Sequence, residues 1–97
     1  MRIIAKKTLK EFWERHPDAR TALQAWHDDV KHATWTSPEQ IKAIYRNASF
    51  LVNNRVVFNI KGNNYRLVVA VQYALGIVYI RFVGTHKDYD RIDATTV

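Results

Sequence analysis

Hydrophobic positions follow two different periods along the chain, and the change between them divides it into two halves. In the first half apolar residues recur every three or four positions, as on one face of a helix, most clearly at Ala19, Leu23, Trp26, Val30 and Ala33. From Ser49 onward the period becomes two, which is typical of strands with one buried face. The pattern predicts helices followed by a β-sheet.

Capping residues place the expected helix starts. Thr8 followed by Glu11 has the spacing of a capping box for a first helix. Pro17 suits the first turn of a second helix, because a proline there loses no hydrogen bond. Ser37 before Pro38 predicts a short third helix that ends near Tyr45.

Turn residues separate the expected strands. Arg2–Ile4 is short and could pair as an edge strand, and longer strands are expected at about 49–52, 55–61, 64–73 and 77–84. Thr85 begins a capped helical turn. These elements predict a single α+β domain over residues 1–97, with N-terminal helices on one face of a mostly antiparallel, twisted sheet of four to five strands and a short C-terminal helical segment.

Two assumed turns set the register of the sheet. If Gly62-Asn63 and Leu75-Gly76 are two-residue turns, Asn59 faces Arg66 and Arg81 faces Ala70, unless a bulge intervenes. One face is then apolar and packs on the helices. The other, here called the outer face, carries basic side chains, and we expect it to bring together Lys61, Arg66 and Arg81.

The distribution of charge favours a polyanionic partner. The net charge is +6, and Gln40–Lys87 contains no carboxylate and seven basic residues. A field of one sign attracts nucleic acid. Chance segregation in a merely basic protein is the plain alternative.

Composition also limits the compartment. The 97 residues contain no cysteine, which fits a reducing environment. Lysines break the first apolar run, MRIIAKKTLK, so that it is neither a signal peptide nor a membrane span. We expect a cytoplasmic protein without a membrane partner.

Several residues of the basic half are candidates for chemistry on a phosphodiester. Arg66 and Arg81 each offer a planar fork that suits phosphate oxygens. His86 and Tyr89 carry exchangeable protons, although they could instead begin a helix and cover the sheet edge. RNA contacts are expected from Arg55, Asn59, Lys61, Asn64, Tyr79 and Lys87. The other histidines lack metal-ligand spacing, so no metal site is expected.

The stretches NNRVVFNIKGNNYRLVV, IVYIRFVGTHKDYDRI and FWERHPDA resemble the HigB family of toxins within the RelE-like superfamily, over essentially the whole chain. The resemblance implies a RelE-like fold and an endoribonuclease, without metal or cofactor, that cleaves mRNA in the A site of the 30S ribosomal subunit. It also implies a HigA-like helix-turn-helix antitoxin, with DNA contacted only through the toxin–antitoxin complex. Carried over by position, the catalytic residues are Lys61, Arg66, Arg81, His86 and Tyr89.

Two other function classes remain open on the residues alone. A non-catalytic nucleic-acid-binding module explains the charge equally well and leaves His86 and Tyr89 idle. A basic docking domain for an acidic protein is the other. The general base is also undecided, because the histidine-rich strands of some relatives are missing here.

Overall fold

Helices precede strands along the chain, as the change of period predicts. The computed structural model describes residues 1–97. Its elements are β1 (Arg2–Ile4), α1 (Lys6–Arg15), α2 (Arg20–His32), α3 (Pro38–Ile44), β2 (Ser49–Phe50), β3 (Arg55–Ile60), β4 (Tyr65–Gln72), β5 (Ile77–Thr85) and α4 (His86–Tyr89), with 3₁₀ turns at Pro17–Ala19 and Tyr73–Leu75. The α+β class is confirmed.

The five strands form one open sheet in the order β1-β5-β4-β3-β2. β1 pairs parallel to β5, so the predicted edge strand at Arg2–Ile4 is confirmed, and the other pairs are antiparallel. None of the helices has the length and apolar character needed to cross a membrane.

One face of the sheet packs against the helices, as the alternation predicts. Its core joins apolar residues of β3, β4 and β5 to those of α1, α2 and α3, among them Leu9, Phe12, Leu23, Trp26, Ile41, Phe58, Leu67 and Val78. The Trp26 and Phe58 rings meet edge to face at 5.4 Å, a favourable aromatic geometry. All three tryptophans are buried, and α1, α2 and α3 cover only this face.

The predicted start of the first helix is wrong. α1 begins at Lys6, and Thr8 lies inside it with its N–H donating to the Ala5 carbonyl at 3.0 Å. Ala5 has φ 77°, a left-handed conformation that turns β1 directly into the helix before Thr8 is reached. Sequence spacing alone does not reveal such a turn, because alanine rarely adopts it.

The hairpin between β3 and β4 has the predicted register, with Asn59 opposite Arg66 and Ile60 opposite Tyr65. Lys61 and Gly62 have φ of 51° and 64°. Lys61 therefore leaves the strand alternation, and its side chain does not continue the outer face.

The predicted register of β5 is wrong. The 3₁₀ turn at Tyr73–Leu75 lengthens the connection beyond two residues. The residue opposite Ala70 is consequently Tyr79, and not the expected Arg81. The pairing also shifts between Val68 and Val69. Arg81 is the extra residue of this β-bulge.

Part of the outer face is covered, which the sequence did not indicate. Residues 92–97, here called the tail, lie over the middle of the sheet. Ala94 packs there against Val57 and Val68, with Ile92 and Val97 beside them. The open part of the outer face is consequently the end near the β3–β4 hairpin.

A candidate active site at the hairpin end of the sheet

Arg66 is the cation at the open end of the outer face. It lies on β4 between Asn59 of β3 and Gly84 of β5. Its guanidinium donates to the carbonyl oxygens of Asn63 at 3.1 Å and Tyr65 at 3.4 Å. No carboxylate forms an ion pair with it. A half-buried, unneutralised guanidinium is a ready ligand for an anionic oxygen.

His86 is brought to the same end by the start of α4. The Thr85 side chain and Asp88 form the predicted capping box, which is confirmed. The His86 backbone N–H donates to the Asn64 carbonyl at 3.3 Å. This bond ties the helix to the hairpin that carries Arg66.

The imidazole of His86 has one protein partner. Its Nδ1 lies 3.2 Å from Oδ2 of Asp90, one turn along the chain, and the side chain is 55% exposed. No protein atom hydrogen-bonds Nε2. The contact with Asp90 orients the ring and leaves Nε2 for a substrate.

Gly84 allows α4, which carries His86, to pack closely against β5 next to Arg66. A Cβ atom at this position would lie 2.5 Å from Cζ of Phe82 and 3.1 Å from Cβ of Asp88. The lack of a side chain therefore lets the Phe82 ring lie on the strand and lets α4 approach it.

Lys61 does not join Arg66. Its Nζ lies 3.2 Å from Oδ2 of Asp18, in the connection between α1 and α2, and the Tyr65 hydroxyl donates to Oδ1 of the same carboxylate at 2.6 Å. The bonds from Tyr65 and Lys61 lower the pKa of Asp18, and the bond to Asp18 raises the pKa of Tyr65. Lys61 thus fastens the hairpin to the helical layer.

Arg81 does not join Arg66 either. Its Nε donates to the Val97 carbonyl at 3.0 Å, and Arg55 donates to the same oxygen at 2.6 Å. Arg81 also lies three residues before Gly84, the partner of Arg66, or roughly 10 Å along the strand. The expected convergence of Lys61, Arg66 and Arg81 is therefore wrong. Strand β3 ends before Lys61, whose side chain turns to Asp18, and Arg81 lies at a β-bulge and binds Val97 of the tail.

The remaining candidates divide between the two ends of the outer face. Near Arg66, Asn59 Nδ2 lies 3.4 Å from Oδ1 of Asn63, and Asn64 and Lys87 are exposed. Tyr89 is half-buried against the Val57 and Val68 cluster under the tail. Tyr79 lies with Ala70 toward the other end of the sheet, away from the candidate site.

Sequence reasoning missed Asp18, Asn63 and the tail. Asp18 and Lys61 are far apart in the chain, and only the packing of helices on the sheet brings them together. The tail lacks any periodic pattern, although Asp93 followed by Thr95 is a local turn signal, with two hydrogen bonds from Thr95 to the Asp93 carboxylate. No group of three or more histidines, cysteines or carboxylates is placed to hold a metal ion.

A mixed sheet with helices on one face and unpaired basic side chains on the other is consistent with the RelE-like class of toxins. The family model for the HigB toxin, a RelE-like toxic component of a toxin–antitoxin system, matches residues 19–92. The mRNA interferase toxin HigB of Escherichia coli K12 is 36% identical over 93 residues, covering 93% of this chain and 88% of that protein.

Two further relatives agree. The mRNA interferase HigB of Shigella flexneri has the same identity and coverage as the K12 protein. That of Escherichia coli O6:H1 is 23% identical over 94 residues, covering 95% of this chain and 91% of that protein. The chain belongs to the HigB family of toxins.

Proposed function

We propose that this chain is an mRNA interferase that cleaves translated messages in the ribosomal A site and is neutralised by a HigA-like antitoxin. Membership of the HigB family supports the activity. The observation that carries the assignment to a site is the placement of Arg66 and His86 at one end of the sheet, tied together by the bond from His86 to Asn64.

The proposed reaction is an internal transesterification of RNA. The ribose 2′-oxygen attacks the adjacent phosphorus while the bond from phosphorus to the 5′-oxygen breaks. The products are a 2′,3′-cyclic phosphate, which water can open to a 3′-phosphate, and a free 5′-hydroxyl. Negative charge grows on the phosphoryl oxygens, where Arg66 stabilises it.

Two protons move in this reaction. One leaves the 2′-hydroxyl and one reaches the 5′-oxygen. His86 is the better donor to the 5′-oxygen, because its Nε2 is free and its side chain is 55% exposed, whereas Tyr89 is half-buried beneath the tail. The proton from the 2′-hydroxyl passes to His86 or to Lys61. Lys61 can accept it only as a neutral amine, after it has left Asp18 and released its own proton.

A variant of His86 tests this role. Replacing a general acid or base slows the chemical step by typically 10²–10⁴-fold. His86→Gln should therefore slow cleavage by about that factor while RNA affinity stays nearly constant. Asp90→Asn, which only changes the orientation of the ring, should have a smaller effect.

The partners follow from the family and await their own test. We expect a HigA-like helix-turn-helix antitoxin to bind this chain, and the complex, not the toxin alone, to bind operator DNA. Co-production of the neighbouring antitoxin should abolish both growth arrest and cleavage. Persistence of cleavage with a bound antitoxin would contradict this part of the proposal.

Primer extension on translated mRNA tests the activity itself. Discrete 5′ ends should appear when the chain is produced without antitoxin. They should vanish with Arg66→Ala and remain with Arg15→Ala, an exposed cation of the helical layer. Intact message in the presence of folded protein would favour a non-catalytic binding module instead.

A further inference from the structure

A groove lined almost entirely by polar and charged residues lies on the helical layer, not at the candidate active site. Facing sides of α1 and α2 enclose about 440 Å³. The lining residues are Lys6, Lys10, Trp13, Arg20, Gln24, His27, Asp28 and Lys31. We call this feature the helical groove.

The cations of the helical groove have no carboxylate partners. Lys6, Lys10, Arg20 and Lys31 are exposed, and none takes part in an ion pair. The single acid, Asp28, lies 3.7 Å from the imidazole of His32, outside the groove. The groove therefore carries an excess of uncompensated positive charge.

The pKa of His27, which lines the groove, is affected by this excess of positive charge. Burial lowers the pKa of His27, and repulsion from Lys6 and Lys31 lowers it further, against a weaker opposing effect of Asp28. A bound anion would replace repulsion by attraction. The pKa of His27 should therefore rise when an anion binds in the groove.

The cations are spread along the groove. On one face of α2, Arg20 and Lys31 lie at the two ends of a row that has Gln24 and His27 between them, and Lys6 and Lys10 lie opposite on α1. From Arg20 to Lys31 the helix rises roughly 16 Å. Cations separated over this length match a linear polyanion better than a compact anion.

We propose that the helical groove is a second RNA site, which holds backbone phosphates of RNA away from the point of cleavage. This inference rests on the proposed function only in taking RNA as the substrate. Phosphate contacts of this kind position an RNA strand without reading its sequence.

An acidic protein segment fits the groove less well. The centres of protein interfaces are rich in aromatic and apolar residues and poor in lysine. Only one of the eight lining residues is hydrophobic, and that residue, Trp13, is itself buried with 9% exposure. The groove has no apolar anchor for a helix or strand.

The helical groove is separated from the candidate active site by the sheet. α1 and α2 pack on the face opposite Arg66. RNA bound in the groove therefore cannot reach His86 at the same contact. The groove should contribute to affinity and its salt dependence, and leave the chemical step unchanged.

The test compares two variants with equal loss of charge. Lys10→Gln with Arg20→Gln removes two cations of the groove. Lys7→Gln with Arg15→Gln removes one lysine and one arginine from exposed positions of α1 outside it. The probe is a single-stranded RNA oligonucleotide with a 2′-O-methyl group at every position, which cannot be cleaved through a 2′-hydroxyl.

The measured quantity is the dependence of the binding constant on salt. The slope of log K against log salt is negative, and each lost phosphate contact reduces its magnitude by about 0.7. The magnitude should therefore fall by about 1.4 in the groove variant and stay nearly unchanged in the control. The His27 pKa, followed by NMR, should rise when the oligonucleotide is added. Thermal unfolding confirms that both variants are folded.

Equal slopes for the groove variant and the control would overturn the inference, as would displacement of the oligonucleotide from the groove by a polyglutamate peptide at equal charge. Because the probe cannot be cleaved, these outcomes do not depend on catalysis. Failure of the proposed function would instead appear as intact message in primer extension, with the groove result unaffected.

Discussion

The ammonium group of Lys61 is paired with the carboxylate of Asp18 at 3.2 Å, on the helical side of the hairpin and away from Arg66. The same carboxylate accepts the Tyr65 hydroxyl at 2.6 Å. One acid of the helical half thus fixes the position of the hairpin on which Arg66 stands. Asp18 therefore contributes both to the stability of the domain and to the geometry of the candidate site.

The Asp18 contacts predict a defined pH dependence of stability. The folded-state pKa of Asp18 is lowered from its ordinary value of 3.8, so its contribution is complete above that value and is lost as the pH falls through the lower, folded pKa. The Tyr65 pKa is raised from 10.0, so its contribution is complete below that value and is lost as the pH rises through the higher, folded pKa.

Asp18→Asn should therefore flatten the acid and alkaline limbs of stability, since asparagine carries no charge to pair with Lys61 or to oppose ionisation of Tyr65. Denaturant midpoints between pH 2 and pH 11 measure this. Asp29→Asn, which removes the carboxylate bound by Tyr45, is the control at another carboxylate–tyrosine pair. An unchanged acid limb in Asp18→Asn would contradict the role assigned to this residue.

Arg66 should tolerate lysine poorly. A guanidinium can donate two parallel hydrogen bonds to a phosphate, whereas an ammonium is a point charge. Loss of one oxyanion donor costs about 10²–10³ in kcat, so Arg66→Ala should lose that much and Arg66→Lys should fall between alanine and wild type.

Steady-state kinetics on a cleavable RNA distinguish this role from simple binding. An interaction made only in the transition state lowers kcat and kcat/KM equally. Unfolding free energies should stay within about 1 kcal/mol of wild type, because Arg66 has only backbone hydrogen bonds to lose. A rise in KM with kcat unchanged would make Arg66 a binding residue.

The alternation of β3 and β4 could be predicted because each strand has one face against the helices, and a one-residue slip would expose that whole face. The Asn59–Arg66 pairing and the cap at Thr85 depend on such local rules. The register of β5 could not be predicted, because the 3₁₀ turn at Tyr73–Leu75 has no glycine or proline until Gly76.

Long-range contacts limited the prediction of the site more than local structure did. Basic residues could be assigned to strands from the sequence. The direction in which each side chain points, however, depends on partners that are distant in the chain. The Lys61 side chain turns to Asp18 on the helical layer, and the Arg81 side chain turns to Val97 of the tail. Arg66 and His86 stayed together because the link between them is short and passes through Asn64.

The Val97 carbonyl separates two roles for Arg81. If Arg81 only holds the tail, Arg55→Ala and Arg81→Ala should reduce cleavage equally, because both guanidiniums donate to the same oxygen. Because Arg81 lies apart from Arg66 and is bound to Val97, we expect both variants to speed amide hydrogen exchange in residues 94–97 and to lower cleavage equally. A further loss of cleavage in Arg81→Ala alone would contradict this and favour the catalytic role that the family resemblance implies for Arg81.

Replacement of Gly84 should affect both the stability of the fold and the cleavage rate. In Gly84→Ala the new methyl group would meet Cζ of Phe82 at 2.5 Å, so the ring must leave the strand, and overpacking of this kind costs about 1–3 kcal/mol. Because Asp88 lies at 3.1 Å from the same methyl group, α4 should also shift and carry His86 away from Arg66.

Gly62→Ala provides the matched control for Gly84→Ala. Its Cβ would meet no atom within 4 Å, but its φ is +64°, which costs about 1–2 kcal/mol for an L-residue. The two variants should thus lose comparable stability in denaturant titrations, while only Gly84→Ala should lower the cleavage rate of the folded protein. If both kept wild-type cleavage, contact between α4 and β5 would not position His86.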